Sequence, residues 1–180
     1  MNAAFDEHFM KMALREALKA ADEGEVPLGA VIVAPAVVEP AHDGHPAVFD
    51  WNPTTAKILG RSHNMPEGLK DATAHAEMLA MSAAFQAVGD WRLTGARLYV
   101  TKEPCPMCAG AIVLARLDAV VWGVSDAKRG GGSTFGIFDH PGINHHPEIV
   151  TGVCEAESKA MLQEFFRARR GSLARFPDKV

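Results

Sequence analysis

Met10, Leu14, Ala17, Leu18 and Ala21 recur at i, i+4, i+7, i+8 and i+11. That single apolar stripe predicts an amphipathic helix over residues 5–23, with Asp6 as its N-cap and Gly24 as its stop. The continuous apolar run from Val26 to Val33 predicts a buried strand entered through Pro27. Residues 34–56 are rich in Pro, Ala, His and Asp and show little periodicity, so they are expected as an extended loop with a turn at His42-Asp43-Gly44. Residues 57–63 return as a strand that ends at Asn64-Met65-Pro66. A second helix is expected over 73–88, capped by Thr73 and stopped by Gly89. A strand over 96–101, a helix over 105–117 and a strand over 119–124 follow. After a Gly-rich loop at 130–132, a short strand over 148–153 and a helix over 155–170 close the chain. Helices alternating with strands in the order α-β-β-α-β-α-β-β-α predict an α/β fold, a central mixed sheet covered on both faces. No repeat or second domain is visible, so residues 1–180 are expected as one domain.

Composition narrows this picture. The chain has 180 residues, 48% of them hydrophobic and 22% charged, as ordinary globular domains do. No apolar run approaches the roughly 18 residues that span a bilayer, and the N-terminal residues lack a basic stretch followed by an apolar one, so neither a membrane span nor a secretory signal is expected. Three cysteines, two of them in a C-x-x-C, argue against a disulfide framework and for a reducing, cytoplasmic setting. Cys154 reads as a small buried apolar residue. The net charge of −4 does not advertise nucleic-acid binding, but residues 159–180 hold six basic and two acidic side chains on an otherwise acidic body. Arg167, Arg169 and Arg170 fit equally a phosphate contact or a helix end whose dipole favours cations. His42 and His45 read as solvated loop residues.

The chemistry concentrates in two stretches. Glu103-Pro104-Cys105-Pro106-Met107-Cys108 carries two cysteines three apart, and His75, thirty residues before Cys105, is followed by Glu77. Cys105 and Cys108 at a helix start share one face, and Pro106 falls in the first turn, where its missing N–H costs nothing. Thiolates and an imidazole are zinc ligands, and a helix N-terminus favours the thiolate form. His75, Cys105 and Cys108 make three ligands with no fourth in sight, the arrangement of a catalytic rather than a structural zinc ion, one per subunit. C-x-x-C alone also fits a redox pair. The complete H-x-E…P-C-x-x-C pattern is the signature of zinc-dependent nucleobase deaminases. In that chemistry Glu77 is the proton shuttle, alternating as base and acid beside the metal.

Thr101–Ile112 resembles the second zinc motif of the bacterial tRNA-specific adenosine deaminases. So do Glu25–Val31, Thr73–Glu77 and Gly123–Gly130, while His140–His145 and Phe165–Arg170 extend the likeness over nearly the whole chain except 34–57. The resemblance implies a three-layer α/β/α cytidine-deaminase-like fold, a homodimer, and hydrolytic conversion of adenosine to inosine at the wobble position of a tRNA anticodon loop. Residue by residue, it implies zinc on His75, Cys105 and Cys108 and acid–base work by Glu77. Asn64 would hydrogen-bond the flipped adenine, with Leu28 and Ala76 against the base. Asp126 and Lys128 would meet the anticodon loop, and Phe165, Phe166 and Arg167 the neighbouring nucleotides. Splayed bases stack on aromatics and pair with arginines, so these residue types suit a single-stranded loop. Asn64 also fits a turn before Pro66, and Leu28, Phe165 and Phe166 also fit a plain core.

The chain departs from that family in four places. Residues 34–57 form an insertion, Ala72 replaces a frequent proline, Lys102 replaces an aliphatic residue beside the zinc motif, and Val124 replaces a frequent alanine. Two other readings share the zinc motifs. One is a deaminase of a free base or nucleoside such as guanine, cytosine or cytidine. The other is a zinc-stapled RNA-binding scaffold, which Glu77 argues against because a structural site needs no general base.

Overall fold

A computed structural model describes residues 2–39 and 48–173. The expected turn at His42-Asp43-Gly44, the histidines His42 and His45, and the cations Arg175 and Lys179 lie outside the described residues. The main sheet has five strands in the order β4-β1-β5-β6-β7. These are β1 (Gly29–Ala34), β4 (Lys57–His63), β5 (Arg97–Lys102), β6 (Ala119–Val124) and β7 (Glu148–Thr151). β1 runs antiparallel to β4 and β5, whereas β5, β6 and β7 are mutually parallel. The mixed sheet is as expected, and so is its double cover.

Strand parity divides the core in two. Ala30, Ile32, Leu98, Val100, Val120 and Trp122 face helices α3 (Ala76–Val88) and α4 (Pro106–Leu114). Val31, Val33, Tyr99 and Val121 face the opposite layer, where Phe5, Phe9, Met10 and Ala13 of α1 (Ala3–Asp22) pack and α5 (Glu155–Leu173) begins. The result is a three-layer α/β/α sandwich. Every strand residue alternates between the two cores because successive side chains point to opposite faces.

Several ends differ from the sequence reading. Asn2, not Asp6, caps α1, its side chain accepting a bond from Phe5 N at 3.3 Å. Asp6 lies on the buried side of the helix, where it accepts a bond from the Tyr99 hydroxyl at 2.8 Å and stands 3.6 Å from the Arg97 guanidinium. Arg97 lies 4.0 Å over the Trp51 ring and donates to Glu148 at 3.1 Å. A buried carboxylate needs such partners, which is why the residue reads as a cap from sequence yet serves as a core contact. Thr73 does not cap α3 either. Its hydroxyl donates to Asp71 at 2.7 Å, closing a turn early, and His75 takes the N-cap position.

Four short elements went unpredicted, one of them a single 3₁₀ turn at Ile137–Asp139. Within the supposed loop, β2 (Ala36–Glu39) and β3 (Val48–Asp50) pair as an antiparallel arm. Val37, Val38, Val48 and Phe49 supply its strand propensity, and Trp51 anchors it edge-on against Phe5 at 5.3 Å. A single turn, α2 (Pro66–Leu69), follows β4 and is held by Gly68 N donating to buried Glu25 at 2.8 Å. The helix expected over 105–117 ends at Leu114, because Arg116 turns to φ 60°.

Helix α3 sits directly on β4 at Gly60. A Cβ there would come within 2.2 Å of the Ala80 carbonyl oxygen, so only glycine lets the helix approach. Gly60→Ala is expected to push α3 off the sheet and lower unfolding free energy by about 1–3 kcal/mol, measured from the denaturant midpoint. An unchanged midpoint would mean that α3 is not seated as described.

Candidate metal and active site

Four chain segments end at one edge of the sheet. The entry to β1, the exits of β4 and β5, and the exit of β6 all lie there. The exit of β5 leads through Glu103 and Pro104 to Cys105, which occupies the N-cap of α4 with extended backbone, φ −70° and ψ 170°. Pro106 opens the helix, and Cys108 falls in its first turn. The exit of β4 is tied back twice. Asn64 N donates to the Leu28 carbonyl at 3.0 Å, and Met65 N donates to the Ala74 carbonyl at 3.0 Å. The second bond sets His75 at the start of α3.

Two helix N-termini therefore converge. The Cys105 sulfur lies 3.6 Å and the Cys108 sulfur 3.5 Å from His75 Nδ1, and the sulfurs are 3.7 Å apart. Around a tetrahedral ion with Zn–S bonds of about 2.3 Å and Zn–N bonds of about 2.05 Å, two thiolates stand about 3.8 Å apart, and a thiolate and an imidazole nitrogen about 3.6 Å apart. The observed triangle matches on all three sides. Among the described residues it is the only group of three or more His, Cys, Asp or Glu side chains close enough to share an ion. The chemistry of the donors agrees with the geometry. The Cys105 thiol is held far below its usual range, first by the hydrogen bond from Cys108 and then by His75. His75 is raised by its bond to Cys105. Cys105 is thus the anionic sulfur of the pair, whereas the Cys108 thiol is pushed up by its bond with Cys105 and by burial.

Glu77 stands two residues into α3, in the first turn as the spacing anticipates, and is 3% exposed. Burial raises its pKa above the ordinary glutamate value, and one of its carboxylate oxygens has no hydrogen-bond partner. Asn64 is also buried, and its side-chain carbonyl is likewise unpartnered. An unpaired buried polar atom costs about 1–3 kcal/mol, and Glu77 and Asn64 each carry one. Leu28 packs against the same core as Ala76, which is wholly buried. The structure therefore brings together His75, Cys105, Cys108 and Glu77, and ties the Asn64 and Leu28 backbones and the Ala76 helix start to the same end of the sheet.

The other expected contacts sit farther out. Asp126 and Lys128 lie on the loop after β6. The Asp126 carboxylate is turned to the Lys102 ammonium and accepts from Lys128 N at 3.0 Å and Arg129 N at 3.1 Å, while the Lys128 side chain is exposed. Phe165, Phe166 and Arg167 belong to α5, in the layer opposite α3 and α4. Phe165 is half-buried and meets Phe166 edge-on at 5.4 Å, whereas Phe166 and Arg167 are exposed. Cys154, expected as buried, is half-buried.

Sequence reasoning passed over Glu103. It is 3% exposed and accepts from Asp126 N at 2.7 Å, Ser133 N at 2.7 Å and the Ser133 hydroxyl at 2.8 Å. Gly130 gives it room, since a Cβ there would lie 2.4 Å from the carboxylate. A charged residue wedged between a buried strand and Pro104 was the available signal.

Comparisons with known proteins agree with this geometry. A family model of the cytidine and deoxycytidylate deaminase zinc-binding region matches residues 3–124. Over 166 residues the chain is 44% identical to the tRNA-specific adenosine deaminase of Bacillus subtilis, covering 92% of this chain and 91% of the relative. It is 41% identical over 165 residues to the enzyme of the same name from Agrobacterium fabrum, covering 91% and 95%. A solved structure from studies of A-to-I editing by tRNA:A34 deaminases at the wobble position of transfer RNA superposes with a TM-score of 0.71 at 38% identity, covering 86% of this chain and 99% of that one.

Metal analysis of the purified protein is expected to give about one zinc per chain, because His75, Cys105 and Cys108 are positioned for one ion. Cys108→Ala should lose that zinc. Full zinc retention in the variant would show that another ligand set holds the metal.

Proposed function

Since the chain belongs to the tRNA-specific adenosine deaminases of the cytidine and deoxycytidylate deaminase zinc-binding family, we propose that it converts adenosine to inosine at the wobble position of a tRNA anticodon, with water entering and ammonia leaving. The observation that carries this reading is the His75–Cys105–Cys108 triangle with buried Glu77 in the first turn beside it. Among the described residues, the unpartnered buried side-chain atoms besides the Ser158 hydroxyl are one from Glu77 and one from Asn64, and both suit a substrate that would complete them. When bound, zinc supplies a Lewis acid that lowers the pKa of water to about 7.

The remaining work falls to the chain's own residues. Asn64 meets the edge of the flipped base, where an amide matches the adjacent donor and acceptor of adenine. Leu28 and the Ala76 turn wall the base against water. Glu77 takes one proton from the attacking water and passes it to the ring nitrogen, then takes the second from the hydroxyl so added at C6 and passes it to the amine, which departs as ammonia as the carbonyl forms. A carboxylate made more basic by burial is suited to both halves of that cycle. Outside the pocket, exposed Lys128, Arg167 and Phe166 offer cations and an aromatic face to a single-stranded loop.

Three further assignments belong to this reading. The whole chain acts as one catalytic domain. It works in the cytoplasm, which suits three free thiols and a chain in which no described helix is long and apolar enough to cross a membrane. It forms a homodimer through α4, where Met107, Gly110, Ala111 and Leu114 line up at i, i+3, i+4 and i+7 and Leu114 is 69% exposed.

The test is inosine formation on an anticodon stem-loop carrying adenosine at the wobble position, with guanine, cytosine and cytidine in parallel. Turnover of the RNA alone is expected. Turnover of a free base with none on RNA would move the chain to the small-molecule deaminases. Glu77→Gln should keep fold and zinc and lose about 10²- to 10⁴-fold in kcat. Full activity in that variant would remove the assigned role. Asn64→Ala should lower kcat/KM by about 10- to 100-fold, the loss of one buried hydrogen-bonding partner; an unaltered value would place the base elsewhere.

A further inference from the structure

We propose that Lys102 is a positioning residue that sets the affinity of this site for RNA, acting through Asp126. The inference rests on the reading of the substrate as an anticodon loop. Lys102 is the last residue of β5 and pairs in register with Val124 of β6. Strand parity puts it on the face of Leu98 and Val100, the face that carries the zinc triangle, three residues before Cys105. Its ammonium, 30% exposed, forms an ion pair with the Asp126 carboxylate, 15% exposed.

That pair is one of three successive ties. Lys102 holds the Asp126 side chain. Glu103 holds Asp126 N and Ser133. The Pro104 carbonyl accepts from Gly131 N at 2.8 Å. Three consecutive residues leading into the zinc motif thus fasten the loop that starts after β6. The same Asp126 gathers the N–H groups of Lys128 and Arg129 and accepts from Gly130 N at 2.8 Å through its carbonyl. Asp126 is therefore the hub that orients the two exposed cations of the loop, and Lys102 orients Asp126.

Charge makes the arrangement matter for substrate. Asp126 stands at the rim of a site that takes up a polyanion. With an aliphatic residue at 102, its carboxylate would face the phosphates uncompensated. With Lys102 the pair is neutral, and only Lys128 and Arg129 present net charge. Ion pairs of this kind act on binding rather than on the chemical step, because the phosphates carry the same charge in ground and transition states.

The experiment compares the zinc-loaded protein with Lys102→Met and Lys102→Arg on the anticodon stem-loop across a salt series. Lys102→Met is expected to raise KM about tenfold at 0.1 M salt with kcat within about twofold, and to shift the log KM against log salt slope by about 0.7, one charge on a single strand. Lys102→Arg should restore KM and slope. A purely structural role would instead lower melting temperature and kcat together and leave the slope unmoved, which overturns the proposal. An unchanged KM in Lys102→Met, or no rescue by arginine, overturns it as well. Absence of RNA turnover by the unaltered protein would remove the underlying reading and this inference with it. Normal turnover unaffected by Lys102→Met removes the inference alone.

Discussion

Three soft donors from two helix starts must meet within bonding distance of one ion, and most of the architecture can be read as the means to that end. Cys105 and Cys108 come from the strand that leaves the middle of the sheet, His75 from a segment docked beside the sheet's antiparallel edge. Neither helix start is placed by its own local sequence. The Met65–Ala74 backbone bond and the seat of α3 on Gly60 fix one, and the exit of β5 fixes the other. Partial positive charge at the two helix termini favours a thiolate at half-buried Cys105, while Cys108 is fully buried and its thiol is pushed up. A shift of an ångström between the layers would spoil a triangle whose sides are 3.5, 3.6 and 3.7 Å.

Around that triangle the structure tolerates local conflict. Glu77 and Asn64 are buried with atoms unpaired, and each would be more comfortable in water. Elsewhere among the described residues, the Ser158 hydroxyl is the only buried side-chain polar group left without a partner. Asp6 is paired with Tyr99 and Arg97, Glu103 is filled by three donors, and Glu25 is bound to α2. Two of the three unpartnered atoms thus belong to residues that the proposed reaction would give a partner.

The sequence made much of this legible, for identifiable reasons. Long apolar periodicities located α1, α3, β5, β6 and α5 to within a few residues, and the spacing of His75, Cys105 and Cys108 was enough to pick out the metal group. Glu77 was readable because the first turn of a helix lets residues two apart face the same end. The misses share a cause as well. The roles of Asp6 and Thr73 depended on partners distant in sequence or on a turn that closed early, not on their own propensities. The β2–β3 arm hid among prolines and histidines, and its anchor, Trp51 on Phe5, joins residues 46 apart in the chain. Glu103 and the Lys102–Asp126 pair emerge only once β5 and β6 lie side by side. Lys102 was legible as a departure beside the zinc motif, but its partner was not.

The most direct test of the central claim is X-ray absorption at the zinc edge of the metal-loaded protein. Two sulfur neighbours at about 2.3 Å, one imidazole nitrogen at about 2.0–2.1 Å, and one light, exchangeable oxygen neighbour are expected. A shell of four protein ligands with no exchangeable position would contradict it, making the metal a structural staple and leaving buried Glu77 without a reaction to perform.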